Sequence, residues 1–220
     1  MEASRVTQHY HRSRFTVDSR RDVVWRTLWR AFFRHRVPKN ACVLDLGAGY
    51  GQFINNVVAH RRIAIDSWPG FAAHLAPGVE AVTGDVTDLS MIEDSTVDFA
   101  FASNLFEHLS QSQLTSVLFA LSKKLARAGT LTILQPNYRY AFREYFDDYT
   151  HVTVWSHVSL ADFLVANGFE IVELIPRFLP LTIKSRLPVW PFLIQTYLAL
   201  PVKPLGKQML LVARVRRSTT

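Results

Sequence analysis

The chain has a single cysteine, only nine glycines and no apolar run long enough to cross a bilayer. Alone, Cys42 cannot close an internal disulfide, so nothing calls for an oxidising compartment. The most apolar stretch, 187–200, is interrupted by Pro188, Pro191 and Gln195, and it falls short of the roughly 20 residues a span needs. The opening, 1–14, is polar and carries His and Arg, so no secretory signal is expected there. Low-complexity tracts and internal repeats are also missing. A cytoplasmic location is the expectation. What remains, 220 residues at 49% hydrophobic, suffices for one α/β domain with a proper core and is short for two.

Acidic side chains are the minority: 18 Asp and Glu stand against 25 Lys and Arg, for a net charge of +7. The excess gathers at the ends, in Arg12 to Arg36 and in Arg214, Arg216 and Arg217. A basic surface attracts phosphates, acidic lipids or nucleic acid. No nucleic-acid module or basic–aromatic repeat is present, so nucleic acid is not an expected partner.

One segment is far more specific. Val43, Leu44 and Leu46 form a short apolar strand that runs into Gly47, Gly49 and Gly51. Glycines at such a turn let the backbone bend sharply and approach a ligand. Residues 52–60 read as the following helix, and a strand–turn–helix of this kind is a nucleotide-cofactor site. The dinucleotide fingerprint G-x-G-x-x-G would need glycine where Gln52 stands, which argues against NAD and FAD.

Strand signals at 43–46, 62–65, 79–83, 97–103, 130–134, 169–174 and 209–215 alternate with helical ones at 52–60, 111–125 (ending near Gly129) and 159–167. That alternation predicts a doubly wound, mostly parallel sheet. Residues 20–36 predict a basic amphipathic helix, with Val24, Trp25, Leu28, Trp29, Phe32 and Phe33 on one face and Arg26, Arg30 and Arg34 on another. Packing on the domain is favoured over lying on a membrane. Residues 1–39 are expected to form a cap and 40–220 the main domain. Within the latter, 176–207 is a proline-rich apolar insertion that could be a pocket cap, a membrane contact flanked by Lys184, Arg186, Lys203 and Lys207, or an oligomer interface.

Asp-Leu-Gly-Ala-Gly-Tyr-Gly, Asp45 to Gly51, resembles motif I of the class I S-adenosylmethionine-dependent methyltransferases. The resemblance covers about 40–175 and implies a Rossmann-like, seven-stranded sheet whose last strand runs antiparallel. S-adenosyl-L-methionine is the cofactor it implies. Asp45 would orient the turn formed by Gly47, Ala48, Gly49 and Gly51. Asp66, at the end of the second strand, would accept the ribose hydroxyls. Asp85 would hydrogen-bond the adenine amino group and Val86 contact its ring. Asn104 lies where the family chain passes the methionine end.

Methyl transfer from a sulfonium is an in-line displacement, driven mainly by proximity and orientation, with a base where the nucleophile must lose a proton. His108, in Glu107-His108, and His151, in Asp147-Asp148-Tyr149-Thr150-His151, are the candidate bases. The Asp147–His151 segment could instead orient a sugar hydroxyl, and no metal is expected because its ligands are few. It is similar to segments in methyltransferases of cell-surface polysaccharide and lipid-linked sugar pathways. The expected acceptor is therefore a small molecule, a glycan or a lipid-linked or phosphorylated sugar, methylated on oxygen. The alternatives are an isoprenoid or quinone lipid acceptor, and a non-catalytic cofactor-binding protein of the same fold.

Overall fold

The structure, a computed structural model, describes residues 19–180 and 189–217. Among them, seven strands form one sheet: β1 (Cys42–Leu46), β2 (Arg61–Asp66), β3 (Glu80–Thr83), β4 (Val97–Ser103), β5 (Leu125–Pro136), β6 (Phe169–Pro180) and β7 (Gly206–Val215). Their spatial order is β3-β2-β1-β4-β5-β7-β6. Strands β1 to β5 pair in parallel, and β7 pairs antiparallel with both β5 and β6. The expected mixed sheet is the one observed.

Alternating side chains divide the core into two layers, as a sheet covered on both faces requires. Val43, Phe99, Phe101, Leu134, Leu210 and Val212 face one way, against α1 (Ser19–Ala31) and, through Ile194 and Leu198, α5 (Pro191–Ala199). Leu44, Leu46, Ala100, Ala102, Ile133 and Leu211 face the other, against α2 (Gln111–Lys124) and α4 (His157–Ala166). A single turn, α3 (Tyr138–Ala141), follows β5. Ser110 and Ser156 start α2 and α4 with capping boxes closed by Gln113 and Ser159. In α1, Leu28 and Trp29 are buried, and Phe33 follows them into the same layer. Burying each such side chain is worth about 1.5–3 kcal/mol, so the apolar face of α1 packs on the domain, while Arg26, Arg30 and Arg34 stay exposed.

Three expectations need correction. Residues 52–60 hold only a 3-10 turn, Ile54–Asn56. Asn and Val are weak helix formers, and the Asn55 side chain is taken up by His74 O and the Ala76 amide, at 2.8 and 2.7 Å. Gly129 is not a helix stop. α2 ends at Lys124, and β5 passes through Gly129, where a Cβ would lie 2.5 Å from the Val97 carbonyl oxygen. Third, β6 continues through Pro176 to Pro180 and β7 begins at Gly206, so the two ends of the 176–207 insertion belong to the sheet, and 191–199 within it is α5. Prolines are tolerated because β6 is an edge strand whose register slips between Ile175 and Leu179.

Candidate active site

Because β1 to β5 are parallel, their carboxyl ends share one edge, the usual ligand side of such sheets. After β1 the chain reverses at once. The amides of Gly47 and Ala48 both donate to Ile65 O, at 2.9 and 3.1 Å, and the Gly51 amide donates to Ala48 O at 2.8 Å. Gly47, Gly49 and Gly51 have φ of +66°, +52° and +65°. A Cβ on Gly47 would stand 2.9 Å from Leu105 Cδ1, whereas one on Gly49 would meet nothing within 4 Å. Gly49 is thus the point at which bare backbone faces open space.

Asp66 holds this turn. Its Oδ2 accepts from the Gly49 amide and its Oδ1 from the Trp68 amide, both at 2.8 Å. Each of its oxygens keeps a second lone pair. Asp45 lies beneath the turn, 3% exposed, and accepts from the Ile54 backbone. Burial, with the neighbouring Asp66 charge, raises its pKa well above the ordinary carboxylate range. Asp85 is exposed and accepts from the Thr87 amide and hydroxyl, while Val86 is buried in the core. Asn104 has φ +48°, its amide donates to Leu134 O, and its Oδ1 accepts from Gln208 Nε2. Next to it, Leu105 is the side chain against Gly47.

Sequence reasoning passed over an aromatic wall beside the turn. Tyr50 lies 5.2 Å from Trp68 and 4.5 Å from His74 between ring centroids. Next to it, Asp22, Arg26, Tyr50, Gln52, Asn55 and Asn56 line a polar groove of about 290 Å³. Trp68 follows Asp66 by two residues, which was the available signal.

The second half of the edge is built at long range. Glu107 O accepts the Val152 and Thr153 amides, at 2.9 and 3.1 Å, which draws the loop after Asp147 onto the exit of β4. As a result the His108 and His151 rings lie 4.8 Å apart, with Tyr145 4.7 Å from His151. Tyr145 is fixed by its hydroxyl, which donates to Thr153 O at 2.7 Å. Asp147 is exposed; Asp148 Oδ1 accepts the Thr150 hydroxyl at 2.6 Å. That hydroxyl has one proton and gives it to a carboxylate, so at 2.9 Å from His108 Nδ1 it must accept. The Thr150 carbonyl, 3.2 Å from the same nitrogen, can only accept. His108 therefore carries its proton on Nδ1 and a lone pair on Nε2. Burial and the neighbouring His151 push its pKa down to about 4.

Sequence reasoning gave Glu107 no role of its own beside His108. It is 0% exposed, and neither carboxylate oxygen has a hydrogen-bond partner among the described residues. Burial, aided by the Asp148 charge and weakly opposed by its own amide, which lies near the carboxyl without hydrogen-bond geometry, pushes its pKa up to about 8. Glu107, His108 and His151 each place one ligand-type atom within 4.8 Å of the others.

A glycine turn with an acidic strand-end residue, at the carboxyl edge of a mostly parallel sheet, is the setting of a nucleotide-type cofactor. Residues 17–174 match the profile of the methyltransferase domain family, and the chain belongs to that family. It is an S-adenosylmethionine-dependent methyltransferase. The sequence matches none of the curated proteins. Solved structures share the fold. A SAM-dependent methyltransferase from Archaeoglobus fulgidus is 19% identical, with a TM-score of 0.68 over 94% of this chain and 98% of that one. A complex from Haloferax volcanii between the Trm112 methyltransferase activator and a methyltransferase gives 18%, TM-score 0.67, and 90% and 92% coverage. An S-adenosylmethionine-dependent methyltransferase from Mesorhizobium loti gives 15%, TM-score 0.62, and 86% and 97%.

Proposed function

We propose that the protein transfers the methyl group to a hydroxyl oxygen of a small-molecule or glycan acceptor, such as a lipid-linked or phosphorylated sugar. The observation that carries this is the Asp148–Thr150–His108 relay beside His151, which fixes the His108 ring and its Nδ1 proton near the exit of β4. An oxygen acceptor must shed a proton, and His108 or His151 is placed to assist. Asp45, Gly47, Ala48, Gly49 and Gly51 with Asp66, Asp85, Val86 and Asn104 form the cofactor side in this reading. The described part of the 1–39 cap contributes Asp22 and Arg26 of α1, which line the groove beside Tyr50 and Gln52, and residues 1–18 lie outside the described residues.

Exposed aromatics support a sugar or lipid acceptor. Phe142, Phe146 and Tyr149 are exposed around the His151 loop. On α5, Trp190 and Phe192 stack at 5.7 Å, each 58% exposed. Of the cations expected beside them, Lys203 Nζ instead donates to the Tyr197, Leu198 and Leu200 carbonyls, and Lys207 pairs with Glu144. Lys184 and Arg186 lie outside the described residues. Arg26 and Arg30 line a groove with Pro191 and Gln195 of α5 and supply positive charge there. Among the described residues no helix is long and apolar enough to cross a membrane. A peripheral membrane contact through the α5 region fits a lipid-linked acceptor.

The test is transfer of isotope-labelled methyl from S-adenosylmethionine into fractionated cell extracts, with the labelled product located by NMR. A methoxy signal on a glycan or glycolipid supports the reading. Label on nitrogen, carbon or protein refutes the acceptor assignment.

A further inference from the structure

We infer that Glu107, His108 and His151 form a binding site for one divalent first-row transition-metal ion, which holds and activates the acceptor hydroxyl. This deepens the proposal above and rests on it for the acceptor, but the ion's binding can be tested alone. Three observations carry it. The three side chains converge from a loop and a strand exit more than forty positions apart, and their ligand-type atoms lie within 4.8 Å of one another. Metal–nitrogen and metal–oxygen bonds run at about 2.0–2.2 Å, so closing such a trio around an ion takes shifts on the order of 1 Å. Next, Glu107 is fully buried, with both oxygens lacking hydrogen-bond partners among the described residues. An unsatisfied buried carboxyl costs free energy, and a cation beside it removes that cost. Last, His108 Nδ1–H is committed to the Thr150 hydroxyl and carbonyl, with Asp148 behind them. Metal-ligating histidines have such outer partners, which set the tautomer and aim the free nitrogen.

Two imidazoles and one carboxylate suit zinc, iron, cobalt, nickel or manganese better than calcium or magnesium, which prefer all-oxygen sites. Both histidines are half-buried, and an acceptor would reach the trio from their exposed side. A bound ion lowers the pKa of a coordinated hydroxyl. The hydroxyl proton leaves to water, and the oxygen attacks the methyl carbon. The O–C bond forms as the C–S bond breaks, and the electron pair stays on sulfur as S-adenosylhomocysteine departs. The ion, in place of a bare imidazole, then does the activating.

Untagged full-length protein, stripped with a chelator and dialysed, is titrated calorimetrically with Zn²⁺, Mn²⁺ and Co²⁺, and bound Co²⁺ is read by its visible spectrum. S-adenosylhomocysteine is titrated into the same samples. One ion per chain is expected, lost in Glu107→Gln and in His151→Ala while S-adenosylhomocysteine still binds. Thr150→Val and Asp148→Asn, which touch no ion, should weaken metal affinity about 10–100-fold. These two variants decide the matter if Glu107→Gln fails to fold. No ion bound by the parent protein, or one bound equally by a Glu107→Gln, His151→Ala double variant, overturns the site. Cofactor binding without the ion removes this inference and leaves methyl transfer standing. Ion binding without the cofactor does the reverse.

Discussion

The two ends of the ligand edge are made differently. At β1 and β2 the site is mainly backbone: three glycines with positive φ, amides tied to Ile65 O, and Asp66 gripping Gly49. At β4 and β5 it is side chains brought together across the chain: Glu107 and His108 meet Thr150 and His151. A backbone cradle suits a constant cofactor, since it recognises shape and offers amides that only a change to proline removes. A cradle of side chains can vary with the acceptor. Changes at the first end should therefore alter cofactor affinity, and changes at the second should alter turnover alone.

Gly49→Val tests the first end hardest. It places a β-branched residue at φ +52° in the space left for the ligand, and calorimetry should detect no S-adenosylhomocysteine binding, with the fold retained by circular dichroism. At the second end, His108→Ala or His151→Ala should slow turnover by about a hundredfold or more without changing cofactor affinity. Full activity in both variants would detach the histidines from the chemistry, and lost cofactor affinity would merge the two ends. Asp66→Ala should weaken S-adenosylhomocysteine by about 1.5–3 kcal/mol, as expected for a hydrogen bond to a charged group, or roughly tenfold to a hundredfold. Parent-like affinity there would move the ribose elsewhere.

Smaller effects sharpen the contrast. In metal-free protein, His108 is held down to about 4 from an ordinary 6.5, so the stability it contributes is present above about 6.5 and lost as pH falls toward 4. Glu107 is pushed the other way, from 4.5 up to about 8, so its contribution is full below about 4.5 and lost as pH rises toward 8. Denaturant titrations at a series of pH values should show Glu107→Gln removing the alkaline drift and keeping the acid one. An unchanged alkaline slope would place that titration on another group. Away from the edge, replacing Trp190 and Phe192 with Ser should weaken sedimentation with anionic vesicles and spare cofactor binding. The parent's binding should fall with salt, because charges are screened over about 10 Å at 0.1 M. Absence of vesicle binding by the parent at low salt would leave α5 as a cover for α1.

The glycine turn, its strand and the seven strands were readable in the sequence because each rests on local backbone conformation or on a period of two. Gly47 to Gly51 needs only local φ, and the Phe99, Phe101 against Ala100, Ala102 alternation needs only a pleat. Tertiary structure decided the rest. Asn55 gave its side chain to the 74–76 segment and 52–60 did not become a helix, a competition that no local propensity encodes. Pro176 and Pro180 sit in a strand because β6 lies at the sheet edge, where a missing N–H goes unnoticed. Above all, Glu107 was only the residue before His108 until the fold carried His151 beside it. A buried carboxyl acquires its chemistry from whatever folding sets within a few ångströms, and that is settled by contacts distant in sequence.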